Sequence, residues 1–158
     1  MRFKRWGSFA AVALAAAVLA TGCGLIRLPF AGPPADGGLQ QLTYTEIAVM
    51  GGSSSGEVYL TATIDARTGT LTVERRHADS YERAMTPQEI GALERLLDEV
   101  GFFDLRPDYV PAGGCCGITI FEVTVERGQE VFKVRASEET RPDALYQVLA
   151  HVRSLLSE

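Results

Sequence analysis

Residues 86–105, TPQEIGALERLLDEVGFFDL, contain a helix together with the signals that start and stop it. Thr86 is placed to N-cap it, Pro87 suits its first position, and Glu89 completes a capping box. Met85 before the cap and Ile90 after it are spaced as a hydrophobic staple. Ile90, Leu93, Leu97 and Val100 recur at helical spacing, and Leu96 widens the stripe. Gly101 stands where a left-handed residue closes a helix, and Phe102, Phe103 and Leu105 follow as an apolar anchor. Such a stripe has to be buried against something. The segments on either side read as strands, so the helix is expected to cover one face of a sheet.

Within residues 43–50, β-branched residues dominate, and Thr45, Ile47 and Val49 share one face. The next strand alternates Val58, Leu60, Ala62 and Ile64 inward against Glu57, Tyr59, Thr61, Thr63 and Asp65 outward. Leu71 and Val73 carry a third strand, after a turn ending at Gly69 where a positive φ is expected. The polar run 74–83 then reads as a connector leading to the helix. Beyond the helix, residues 106–117 form a long loop with Pro107 and Pro111. Phe121, Val123 and Val125 alternate with Glu122, Thr124 and Glu126, and residues 131–135 return after a turn at Gly128. Ile118 and Ile120 have the opposite parity from Phe121, which calls for a bulge or for burial on both faces. A second cap-like start at Thr140, with Pro142 in the first turn, opens a helix striped by Leu145, Val148, Leu149, Val152 and Leu155. The expected fold is α+β, in the order β-β-β-α-β-β-α. It is an antiparallel sheet of about five strands with two helices packed on one face.

The N-terminus is a targeting segment and takes no part in this fold. Arg2, Lys4 and Arg5 precede an uninterrupted apolar run at 9–20, shorter than the about 20 residues a membrane span needs. Ala20, Thr21 and Gly22 then lead to Cys23, the pattern a bacterial lipoprotein signal peptidase reads, with Ala20 where a larger apolar residue is usual. Residues 1–22 are therefore expected to be a lipoprotein signal peptide, with lipidated Cys23 as the membrane anchor. The plainer alternative is an ordinary secretory signal that leaves Cys23 as a free thiol. Two or more acyl chains hold a protein stably, since each buried methylene contributes about 0.8 kcal/mol. Residues 23–42, rich in Pro, Gly and small residues, read as a flexible tether, and 43–158 as one domain. The expected location is the extracytoplasmic face of a cell membrane or outer membrane.

Removing residues 1–22 removes three basic residues and no acidic ones, leaving 12 basic against 20 acidic and a formal charge of −8. That balance argues against nucleic acid as a partner, because such binding depends on neutralising phosphates. It also leaves attachment to an anionic bilayer to the lipid. Cys115 and Cys116 are adjacent, and outside the cytoplasm they tend to oxidise. A disulfide between neighbours closes a strained eight-membered ring that is easily reduced. A loop-stiffening pair or two inert thiols is the commoner outcome, and a redox sensor or metal grip the rarer one. With only His77 and His151 elsewhere, no metal set of the usual spacing is present.

His77, Asp79 and Ser80 have the residue types of a hydrolytic triad. Triads are assembled from distant parts of a chain, and no nucleophile-elbow pattern surrounds Ser80. Glu94, Asp98 and Glu99 lie opposite the apolar stripe, where solvation accounts for them better than acid–base chemistry. The loop Gly51, Gly52, Ser53, Ser54, Ser55 and Gly56 leads into a strand and not a helix, which argues against phosphate binding. It suits contact with a partner protein instead.

Gly51 and Gly52 at the end of a first strand, Gly69 at the next turn and the helix start Met85-Thr86-Pro87-Gln88-Glu89 form an ordered set. Phe121-Glu122-Val123-Thr124-Val125 and the closing Pro142, Leu145 and Leu149 extend it. Together they resemble the emfourin family, small proteinaceous inhibitors of protealysin and related thermolysin-like metallopeptidases. The resemblance covers nearly all of residues 43–156, and Cys115, Cys116 and the lipid anchor are additions to it. It implies a protein without catalytic residues or cofactors that inhibits by occlusion. Residues 51–56 would enter a protease cleft, with the 106–117 loop as a second contact. The competing expectation is a structural or accessory envelope lipoprotein without inhibitory activity.

Overall fold

A computed structural model describes residues 37–49, 56–111 and 117–157. All of them belong to one compact unit of the chain, Ala31–Glu158. Six strands, β1 (Leu39–Val49), β2 (Glu57–Asp65), β3 (Thr70–Arg75), β4 (Tyr81–Ala84), β5 (Ile118–Arg127) and β6 (Glu130–Ser137), form one sheet in the order β4-β3-β2-β1-β5-β6. All neighbours are antiparallel. Helices α1 (Pro87–Glu99) and α2 (Asp143–Leu155) cover one face, and a short 3-10 turn (Phe102–Asp104) follows α1. The α+β architecture with two helices on one face is the one the sequence predicts, with a sixth strand added. β4 comes from the run read as a polar connector. Its four residues carry no run of alternating apolar side chains, so no hydrophobic signal marks it.

The covered face follows the strand period of two. Leu42 and Tyr44 of β1, Ala62 and Ile64 of β2, and Leu71 and Val73 of β3 are fully buried. Phe121, Val123 and Val125 of β5 with Val134 and Ala136 of β6 complete that layer. Leu93 and Leu97 of α1 meet it from above, as do all five stripe residues of α2. The start of α1 has the geometry expected of it. Thr86 Oγ1 accepts from the Glu89 amide at 3.2 Å, and Glu89 Oε2 accepts from the Thr86 amide at 2.6 Å. Gly101 adopts φ 67°, a left-handed conformation that closes the helix and turns the buried Phe102 under it. The β2–β3 turn also forms as predicted. Asp65 Oδ1 accepts from the amides of Arg67 and Thr68 at 2.8 and 3.2 Å, and Gly69 has φ 68°.

Three local expectations change, and one pair of alternatives is resolved. β1 begins at Leu39, inside the stretch read as tether. Thr45, Ile47 and Val49 do share a face, the open one, while Leu42 and Tyr44 face the core. Val58 does not point inward, because the β1–β2 register slips between Glu46 and Ile47 and Tyr59 is left without a partner. The bulge moves Val58 beside Ile47 on the open face, where it is 47% exposed. Ile118 and Ile120 show the two-sided burial alternative, since β5 pairs without a break from Ile118 to Phe121 and Ile120 is only 6% exposed. Pro142 is the N-cap of α2 and not part of its first turn. Thr140 does not cap the helix; its hydroxyl bonds the amide and hydroxyl of Ser137 instead.

The loop after the 3-10 turn is partly ordered against the sheet. The Tyr109 amide donates to Arg135 O at 2.8 Å and the Arg135 amide to Pro107 O at 3.0 Å, a short parallel pairing along the outer edge of β6. The face without helices is polar over most of its area. Thr72, Thr63, Thr43 and Thr124 stand side by side across β3, β2, β1 and β5.

Candidate functional site

Of the residues predicted to contact a partner, Gly56 is described, and Gly51, Gly52, Ser53, Ser54 and Ser55 lie outside the described residues. So do the lipidation residue Cys23 and the pair Cys115 and Cys116. The residues that flank the two predicted contact segments are described, and they meet. Val49 is the register partner of Ile118, and the Gly117 amide donates to Val49 O at 2.9 Å. Ala48 is the register partner of Glu57. Three strand ends therefore lie abreast in the order β2, β1, β5, with Gly56 and Gly117 at the points where the connections depart.

These ends project beyond their neighbours. The last β2–β3 pair is Leu60 with Arg75, and only the bond from the Arg76 amide to Tyr59 O, 3.0 Å, follows it. On the other side the last β5–β6 pair is Ile120 with Ser137. Gly56 packs so closely on β1 that a Cβ there would lie 2.2 Å from Ile47 Cγ2 and 3.1 Å from Val49 Cγ2. The absence of a side chain lets the β2 backbone close over β1 at this point. Beside the projecting end of β2 lies an open groove of about 430 Å³, lined by Val58, Tyr59, Leu60, Arg75, Arg76 and Ser80. Arg76 is paired with Glu57 across its mouth, and Arg75 stacks over Tyr81 at 5.5 Å.

Beneath this end, on the covered face, Glu46 joins β1 to α2. Its side chain is 12% exposed, and Oε1 accepts from Arg153 Nη2 at 2.9 Å and from the Tyr44 hydroxyl. Arg153 Nε also donates to the Tyr44 oxygen at 3.1 Å, and the guanidinium lies 4.9 Å from the Phe121 ring. Burial alone would raise the Glu46 carboxyl. Hydrogen bonds from Tyr44, Tyr59 and Arg153 outweigh that and hold it below the usual carboxylate range. Burial, then the adjacent carboxylate, push Tyr59 up to about 12 and Tyr44 well above the usual phenol range. The network is a clamp that fixes the end of β1 to α2, and none of the site residues singled out in the sequence belongs to it. Its one sequence signal is the alternation Leu42, Tyr44, Glu46, which puts a carboxylate on the core parity.

The other polar candidates are dispersed. His77, Asp79 and Ser80 are all exposed in the β3–β4 connection. Glu94 and Asp98 are not merely solvated. Glu94 accepts from the Leu39 amide at 2.9 Å, and Asp98 pairs with Arg127 at 2.6 Å, so both fasten α1 to the strands below. Among the described residues no three His, Cys, Asp or Glu side chains gather as a metal set, and no helix is long and apolar enough to cross a membrane. No family model matches the chain, and no curated protein matches it.

Proposed function

We propose that this chain is a lipid-anchored extracytoplasmic domain that binds protein and inhibits a thermolysin-like metallopeptidase, with Cys23 carrying the lipid. The observation that best supports this reading is the bond between Gly117 and Val49, 2.9 Å, at the projecting ends of β1 and β5. It brings together the stems of the two segments that the emfourin resemblance marks as contacts. The paired strand ends fix the points from which the two connections depart, which removes part of the ordering cost of binding. The Glu46–Arg153 clamp adds to that rigidity from below. In this reading the domain supplies no catalytic group, metal or cofactor, and it acts by filling a cleft. The formal charge of −8 after loss of residues 1–22 speaks against a nucleic-acid partner.

The test is hydrolysis of a peptide substrate by thermolysin with the purified full-length protein in detergent. Inhibition at micromolar excess is the expected result. Unchanged hydrolysis would remove the inhibitory reading and leave an accessory envelope lipoprotein in its place.

A further inference from the structure

One polar cluster holds the projecting strand ends to the helix layer. Glu46 is the last residue of β1 before the register slip, and Tyr59 is the residue that the slip leaves unpaired on β2. The β1–β2 ladder is thus interrupted at the level where three hydrogen-bond donors converge on one carboxylate. They are Tyr44 of the same strand, Tyr59 of β2 and Arg153 of α2. The Tyr59 hydroxyl also bonds the Thr119 side chain of β5, so all three strand ends are tied in. The register partners of Glu46 itself, Leu60 and Phe121, are apolar.

The core stops at this level. None of residues 47–49, 57–59 and 118–119 is buried, and the last pairs made by β3 and β6 are with Leu60 and Ile120. A short ladder with little burial is where a domain opens locally at least cost. The other charged groups nearby have partners of their own. Arg141 lies 5.8 Å from the Phe121 ring and 4.8 Å from that of Tyr146, and it pairs with Glu138. Glu57 pairs with Arg76, and Glu122, on the open face, with Lys133 and Arg135. His151 lies about 200° around α2 from Arg153. That leaves Glu46 and Arg153 as the charge pair between the strand ends and α2.

An ionised carboxylate can accept from all three donors. Protonation puts a hydrogen of its own among them and removes the attraction of Arg153. Burial raises the carboxyl, but the hydrogen bonds outweigh it and hold the group below its ordinary 4.5. The cluster is therefore fully closed above that pH and weakens as the pH falls from there through the folded value. We propose that Glu46 is a latch. Ionised, it keeps the ends of β2, β1 and β5 closed onto α2. Protonated, it lets residues 47–49, 57–59 and 118–119 open locally while the sheet below stays folded. The device stands apart from the inhibitor reading and holds whatever partner meets these ends.

The test is native-state hydrogen exchange of the full-length protein in detergent, corrected for each amide's intrinsic pH dependence. Amides of 62–64, 71–73 and 123–125, in the core below, report global unfolding, so their protection falls with sub-denaturing urea. Amides at the strand ends should be less protected and indifferent to that urea. From pH 4.5 down to the folded value, their protection should fall about tenfold per unit, the slope of one proton. Glu46→Gln should show that loss already at neutral pH, with no acid slope. Tyr59→Phe removes only the arm to β2, and should lower protection at 57–59 at neutral pH while keeping the slope. Where Glu46→Gln does not fold, the parent profile and Tyr59→Phe decide the matter. Strand ends that share the protection and urea response of the core would overturn the latch. So would a parent without the acid slope, or a slope that survives in Glu46→Gln.

Discussion

Arg153 and Glu46 are 107 residues apart in sequence, yet Arg153 Nη2 lies 2.9 Å from Glu46 Oε1, joining the last helix to the first strand. The pair is more than a surface contact, because the Tyr44 hydroxyl and Phe121 ring close the site around it. Breaking a partly buried pair leaves the surviving charge without its partner, which costs more than an exposed pair contributes. Glu46→Gln should therefore destabilise the domain by about 1–3 kcal/mol in urea unfolding at neutral pH.

The same network sets the pH limits of stability. The folded-state pKa of Glu46 is below its ordinary 4.5, so its contribution is fully present above that value and is lost as the pH falls through the folded value. The folded-state pKa of Tyr44 is above its ordinary 10.0, so its contribution is present below that pH and is lost as the pH rises beyond it. Unfolding midpoints measured across pH should show a plateau between these values. Glu46→Gln should flatten the acid limb.

The capping box at α1 is a second separable contribution. Thr86→Ala removes the acceptor of the Glu89 amide and should cost about 1 kcal/mol, read as a lower denaturation midpoint with an unchanged m-value.

Two glycines should respond to alanine with opposite signs. At Gly56 the new Cβ would meet Ile47 Cγ2 at 2.2 Å, so Gly56→Ala should destabilise by about 1–3 kcal/mol. At Gly91, inside α1, nothing lies within 4 Å, and Gly91→Ala should stabilise by roughly 0.5–1 kcal/mol through helix propensity. Thermal melts of the two variants provide the comparison.

Membrane attachment has its own test. Fractionation of the producing cell should find the parent protein with membranes and Cys23→Ser in the soluble fraction or unprocessed. Mass spectrometry of the parent should find acyl chains on Cys23.

The parts of the fold written in local signals were readable. The start and stop of α1, the Asp65–Gly69 turn, the alternation through β5 and the stripe of α2 each depend on residues within a few positions of one another. What escaped the sequence depends on distant neighbours. β4 is a strand because β3 offers it an edge, and nothing in Tyr81–Ala84 announces that. The outward turn of Val58 follows from a bulge that only the pairing with β1 reveals. Which face of β1 meets the core is not legible locally, because its aliphatics, Ile47 and Val49, lie on the open face while its core residues include a tyrosine. At the candidate site, Gly56 could be named from composition, but its near-contact with Ile47 could not, nor could the meeting of Val49 with Gly117.

The short parallel pairing of residues 107–109 along β6 bears on how such molecules behave when crowded. A sheet margin with free amides and carbonyls is a template on which other chains polymerise. One margin here is occupied by the chain's own backbone at Arg135, and the other is only four residues long, with Arg83 Nη1 donating to Ala84 O at 3.1 Å. Among the described residues, that shortens the ladder a crowded neighbour could extend.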